Sequence, residues 1–255
     1  MPPAVMPPAV TPSAPPPAVP ELPPRTVHLW YADLDPPAEV VAALEPLLHA
    51  DERERAARFR FDKHRRRFIV RRGQLRRLAG AYLGRPPAAV AFGYGGRGKP
   101  TVAVQPAHAA GRLELNLSDS EDLAVYAFAR GLEIGVDVEV LRPMPDALSI
   151  SESFFSARER EALRTVEPER VPEAFFNCWT RKEAYLKAIG EGLAEPLDSF
   201  VVTLLPGEPP RFLHFDKVPH EVDLWSLYQL RPTAGSIAAL ALRERGWSYV
   251  ECGWV

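Results

Sequence analysis

Cysteine is almost missing from this chain: Cys178 and Cys252 are the two it has among 255 residues, too few for a disulfide framework or a zinc site built on thiolates. Long apolar runs are missing too. No 18-residue apolar stretch escapes interruption by proline, so no segment is predicted to span a bilayer. Residues 1–24 contain no Lys, Arg or Asp and no unbroken apolar core, which excludes a secretory signal and leaves a cytoplasmic location as the expectation. That stretch instead holds 11 of the 28 prolines and reads as a polyproline-like, flexible tail. Beyond it, 46% hydrophobic and 25% charged residues are globular proportions and speak against a disordered chain or a coiled coil.

Charge is spread unevenly. The totals, 31 basic and 33 acidic residues, nearly cancel, yet residues 53–77 (RERAARFRFDKHRRRFIVRRGQLRR) carry 12 Lys/Arg against two acids. The chain is therefore an acidic body with one cationic band, a place for an anionic partner to dock.

After the tail, residues 25–35 alternate Val27, Leu29 and Tyr31 as a first strand. Asp35 is expected to cap a helix that Pro46 interrupts, and Asp51 with Glu54 to open a second through a capping-box pattern. A long helix over 63–83 follows, ended by Gly84, with Arg65, Arg72 and Arg76 on a face read as solvated. The pattern then turns to strands: Val90, Phe92 and Tyr94, the glycine-rich GGRGKP at 95–100, Leu113 to Leu117 running into NLSDS, and the apolar runs 123–129 and 134–140. Ser156 and Glu159 start another helix, and Pro172 a longer one ending at Ile189 before Gly190. Strands are expected over 199–205, 222–230 and 236–242. The same α+β order is thus used twice without a residue-level repeat.

Two constellations carry chemistry. Asp137 and Glu139 stand at i and i+2 in the otherwise apolar strand IGVDVEV, so both point to one face. Buried carboxylates need partners, and oxygen ligands at this spacing suit Mg²⁺, or Mn²⁺, better than zinc; a short strand with a wet end is the plainer alternative. In FFNCWTRKEAYLKAIGEGL, Lys182, Glu183 and Lys187 sit on one helix with Glu183 and Lys187 four residues apart, an ordinary surface pair when taken alone. If Glu183 meets Asp137 and Glu139 beside cations, the set suits a polyphosphate bridged by a divalent ion. Trp179 is read as core and Cys178 as an inert thiol.

GVDVE and W-T-R-K-E-A-Y-L-K-A-I-G-x-G-L, about forty residues apart and preceded in order by D-x-x-E-R-A-x-R-F, GRGKP, NLS-x-S and followed or interleaved by FFS-x-x-E, make the chain resemble the 4′-phosphopantetheinyl transferase superfamily, in its surfactin-synthetase-activator type. The resemblance covers most of residues 45–203. It implies an α+β fold of two similar halves packed side by side about a pseudo-twofold axis, 25–133 and 134–255 after the 1–24 tail, in a monomer. It also implies a holo-acyl-carrier-protein synthase activity: transfer of the phosphopantetheine arm of coenzyme A to a serine of an apo acyl or peptidyl carrier protein, in a polyketide, nonribosomal-peptide or fatty-acid synthase, with release of adenosine 3′,5′-bisphosphate.

On that resemblance Asp137, Glu139 and Glu183 would hold Mg²⁺. Lys187, Lys182 and Arg55 would meet phosphate oxygens, the Gly98-Lys99-Pro100 loop the adenine end, and Ser118 the 3′-phosphate. Glu183 or Glu139 would take the serine proton. The family pattern commonly reads NLSHS, and Asp119 replaces its histidine here, an acid facing a dianion unless an arginine of the 65–72 band intervenes. Glu52 likewise stands where related chains often place a cation. The competing readings are a nucleic-acid-binding module built on the 53–77 band, against the expectation of no nucleic-acid partner, and a family member that binds without turnover.

Overall fold

The structure is a computed structural model that describes residues 21–95, 99–105, 107–108, 110–190 and 195–255. Most of the proline-rich tail, and Gly98 of the expected adenine loop, lie outside the described residues.

The N-terminal part runs β1 (Thr26–Asp33), α1 (Ala38–Leu44), α2 (Ala50–Ala57), α3 (Asp62–Leu83), β2 (Phe92–Tyr94), β3 (Pro100–Val102), β4 (Leu113–Ser120) and β5 (Leu123–Arg130). The C-terminal part runs β6 (Ile134–Val140), α4 (Ala147–Phe154), α5 (Ala157–Arg164), α6 (Val171–Ile189), β7 (Phe200–Val202), β8 (Phe212–Phe215), β9 (Ser226–Leu230), β10 (Ser236–Leu242) and β11 (Ser248–Trp254). The first sheet has the order β11-β1-β5-β4 and the second β6-β10-β9. β1 pairs with β5, which pairs with β4, and β6 pairs with β10, which pairs with β9, so apart from β11 the connectivity repeats although the residues do not.

Period-two alternation sorts the side chains between three cores. Tyr126 and Phe128 of β5 turn to α3, where Phe68, Leu75 and Leu78 meet them. Phe175, Phe176 and Tyr185 of α6 pack over Ile237 and Ala239 of β10. Between the sheets, Val27 and Leu29 of β1 and Val125 and Ala127 of β5 face Val136 and Val138 of β6 and Leu240 of β10. The 123–129 and 134–140 runs are apolar almost throughout because each strand is covered on both faces. Gly135 is a contact in its own right: a Cβ there would lie 1.9 Å from the Ala184 carbonyl and 2.3 Å from the Ala188 nitrogen, so only glycine lets α6 lie directly on β6.

Several boundaries depart from expectation. Asp35 does not cap α1, whose N-cap is Pro37; its carboxylate accepts from Arg67 at 2.9 and 2.6 Å. The box of α2 is formed by His49 and Glu52 rather than Asp51 and Glu54, with the His49 N–H donating to Glu52 at 2.9 Å. Arg72 and Arg76 are buried, not solvated, because Glu52 accepts from both guanidiniums. The strand expected over 222–230 is β9 preceded by a 3₁₀ turn at Pro219–Asp223, and β8 and β11 were not anticipated. Nor does the chain part cleanly at residue 133, since β11 pairs in parallel with β1 of the first sheet.

Candidate functional site

The edges of the two sheets meet at β4 and β6, and they do so through side chains. Asn116, Ser118 and Ser120 alternate along β4 and so share a face. Asn116 accepts from the Val136 N–H at 2.9 Å and Ser120 from the Val140 N–H at 3.1 Å. These bonds occupy donors on the free edge of β6 and lay NLSDS against GVDVE. Ser118 donates to Asp137 Oδ1 at 2.8 Å, and Ser120 to Glu139 Oε2 at 2.8 Å. Lys187, arriving from the last turn of α6, donates to the same Asp137 oxygen at 2.6 Å and to Ser118 Oγ at 2.8 Å.

A cleft of about 650 Å³ opens over this junction. Its β6 end carries Asp137 and Glu139, its α2–α3 end Arg55, Arg71 and Arg72 together with Asp51 and Glu52, and Lys99, Pro100, Ser118, Asp119 and Lys187 complete the lining. Eight of the sequence-predicted site residues, Arg55, Lys99, Pro100, Ser118, Asp119, Asp137, Glu139 and Lys187, are thereby brought together.

Glu183 stands behind the β6 end, half-buried on α6, with no hydrogen bond or ion pair among the described residues. Burial first, then the charges of Asp137 and Glu139, push its carboxyl above the ordinary carboxylate range. Asp137 is raised as well, by burial that outweighs the nearby Lys187 ammonium, and its Oδ2 is buried without a partner. Glu139 is held by Ser120 and by Arg142, which donates at 2.9 Å. Among the described residues no three acids, histidines or cysteines are drawn into a ready-made metal cage.

Lys182 does not reach the cleft. Its ammonium is fully buried 2.9 Å from Glu159 and donates to the carbonyls of Leu197, at 2.7 Å, and Phe200, so the expectation that it meets phosphate is overturned. It faces into the second core because, one residue before Glu183, it lies about 100° around the helix from it. Trp179 packs among Phe154 and Phe175, and Cys178 is buried with its thiol pushed up by burial, both as expected.

Arg72 was read as solvated, and Arg71 was covered only as one member of the 65–72 band. Arg71 pairs with Asp119, and the guanidinium of Arg72 bonds both Glu52 and, at 2.9 Å, the Tyr94 hydroxyl. Each departure from the family pattern, Asp119 and Glu52, is thus met by an arginine of α3. The signal lay in the cationic band, but which of its members turn inward depends on the packing of α2 and β4 on α3. The same pairing weakens the nucleic-acid reading: Arg65, Arg67, Arg71, Arg72 and Arg76 are matched to Glu45, Asp35, Asp119 and Glu52 rather than presented as a bare cationic face. No helix among the described residues is long and apolar enough to cross a membrane.

Residues 34–130 match the family model "4′-phosphopantetheinyl transferase, N-terminal", and residues 133–241 that of the 4′-phosphopantetheinyl transferase superfamily. The chain is 42% identical over 221 residues to the 4′-phosphopantetheinyl transferase HetI of Nostoc sp., covering 87% of this chain and 89% of that one. It is 32% identical over 155 residues to a 4′-phosphopantetheinyl transferase of Bacillus subtilis, covering 61% and 66%. A human relative, L-aminoadipate-semialdehyde dehydrogenase-phosphopantetheinyl transferase, is 26% identical over 189 residues, covering 71% and 57%. With both parts of the chain matched and a relative so similar along nearly its full length, this protein belongs to the 4′-phosphopantetheinyl transferase superfamily.

Proposed function

We propose that this enzyme transfers the 4′-phosphopantetheine arm of coenzyme A to a serine hydroxyl of an apo acyl or peptidyl carrier protein, with Mg²⁺ as the required ion and adenosine 3′,5′-bisphosphate as the leaving product. The carrying observation is one cleft that gathers Arg55, Arg71, Arg72, Lys99 and Lys187 with the carboxylates of Asp137 and Glu139. Coenzyme A is a polyanion with a diphosphate and a separate 3′-phosphate, and cations set beside acids able to hold a divalent ion suit it. The recurring strand order supports the single-chain, two-half type with a pseudo-twofold relation between the halves.

The acids fit a divalent cation. Asp137 Oδ2 is orphaned in a buried place, and Glu183 is unpaired while repelled by two neighbouring carboxylates. Asp137, Glu139 and Glu183 would hold Mg²⁺, which would supply charge to the diphosphate under attack. Arg55, Arg71, Arg72 and Lys187 neutralise phosphate oxygens, and Ser118 orients Lys187. Glu183 or Glu139 would take the proton from the carrier serine. The serine oxygen forms a bond to the phosphorus that bears the pantetheine, and the bond from that phosphorus to the bridging oxygen breaks. The electron pair leaves with the adenosine bisphosphate.

The test is incubation of the protein with coenzyme A, Mg²⁺ and apo carrier domains from fatty-acid, polyketide and nonribosomal-peptide synthases, with mass spectrometry for the added arm. Asp137→Ala is expected to fold and to transfer at least about 100-fold more slowly. Absence of adduct on every carrier, or wild-type turnover by that variant, would refute the reading.

A further inference from the structure

The side chain of Lys99 does not do what its place in the GRGKP loop implies. Although the residue contributes to the cleft wall, its ammonium donates at 3.3 Å to the carbonyl of Ile134 and at 3.3 Å to that of Ala188. Ile134 is the first residue of β6, and Ala188 lies in the last turn of α6, whose final carbonyls have no partner further along the helix. A cation there also meets the negative end of the helix dipole. Burial lowers the proton affinity of the ammonium on balance, and the charges of Glu133 and of Glu114 of β4 offset that only in part. β6 and α6, with Glu114 of β4 nearby, thus converge on one nitrogen of Lys99.

We propose that Lys99 is a positioning residue for transfer: its ammonium fastens the start of β3 to the start of β6 and the end of α6, and so fixes Lys187 and Glu183 relative to the nucleotide end of the cleft. Lys187 immediately precedes Ala188, and Glu183 stands little more than one turn earlier. Gly135, the residue after Ile134, is where α6 lies directly on β6, so the ammonium clamps that contact from the side of β3. Without it, β3 and α6 would still be present but no longer registered, and displacements of about 1 Å at a reacting centre cost up to about 100-fold.

This inference rests on the proposed transfer reaction, and steady-state kinetics separate the two. Lys99→Met, which keeps the stem and removes the donor, is expected to lower kcat about 10-fold while the KM for coenzyme A changes less than about 2-fold. Lys99→Arg, which restores a cationic donor, is expected to recover kcat to within about 3-fold of wild type. A variant whose KM for coenzyme A rises while kcat holds would show that the ammonium binds the coenzyme directly, and would overturn the assignment; so would a Met variant with wild-type constants. Should Lys99→Met fail to give a cooperative melt, Lys99→Gln is measured the same way, and unchanged kcat in it overturns the assignment equally. A wild-type protein that transfers nothing brings down the proposed function and this inference together, whereas active wild type with an unaffected Met variant removes the inference alone.

Discussion

His28 stands on β1, 2% exposed, between the inter-sheet core and α3. Its Nδ1 lies 2.8 Å from the Tyr82 hydroxyl, which accepts a further bond from the Trp30 indole at 2.9 Å. With the Trp30 N–H already donating to the hydroxyl, a neutral imidazole whose Nδ1 accepts the Tyr82 proton satisfies both groups. Protonation would bring a charge into the core and set two donors against each other, and burial accordingly lowers the His28 value below 6.5. Below pH 6.5 the unfolded chain takes up a proton that the folded one refuses, so this contribution to stability is complete above about 6.5 and is lost as pH falls towards the lowered folded value. Melting temperatures taken from pH 7.5 down to pH 5 should fall more for wild type than for His28→Gln. Parallel slopes would show that His28 takes up its proton equally in the folded and unfolded chains.

At the scale of elements, the buried pair Lys182–Glu159 joins α6 to α5. Glu159 also caps α5 by accepting from the Ser156 N–H at 2.9 Å, and reaches β7 through the Val202 N–H at 2.8 Å. Removing one partner of such a pair leaves the other charge in the core, at a cost of about 3–5 kcal/mol. Lys182→Met should therefore lower the melting temperature markedly, yet leave the KM for coenzyme A unchanged when measured below the melt; a raised KM with an unchanged melt would return Lys182 to the phosphate site. The Ser156/Glu159 box and the span of α6 were legible because caps and helical period are local signals. Lys182 was misread for the opposite reason: sequence spacing gives its angle on the helix, but only β7 and α5, which come from elsewhere in the chain, decide that this angle is indoors. The band that partners Asp119 was legible, but which of its arginines serves was hidden in the same way, as was the partner of Glu52. The β4 face of Asn116, Ser118 and Ser120 shows an intermediate case, since its period was readable but its use as a bridge to β6 was not. Strand β8 is only four residues, Phe212–Phe215, too short for alternation to declare itself.

The whole molecule is held together at two seams, and both argue against halves that fold alone. At one seam β11 supplies the outer strand of the first sheet, with Trp254 packed on Tyr31 and the Val255 N–H donating to the Tyr31 carbonyl at 2.9 Å. At the other, the β4 side chains satisfy the edge of β6, and the core between the sheets draws Val27, Val125, Val136 and Leu240 from both parts. A fragment of residues 21–133 would expose that core face and the flank of β1, an apolar surface with an open strand edge, which favours association over folding. Expressed alone it should give no cooperative melt and should bind a dye for exposed apolar surface. Co-expressed with 134–255 it should regain a single sharp transition, since the second piece carries β11 as well as β6. If 21–133 alone melted cooperatively as a monomer, the inter-sheet core and β11 would be accessories to a self-sufficient half. The β6 and α2–α3 ends of the cleft would then be brought together by docking of finished halves. If folding does require both pieces, the cleft forms in the same step that buries the common core.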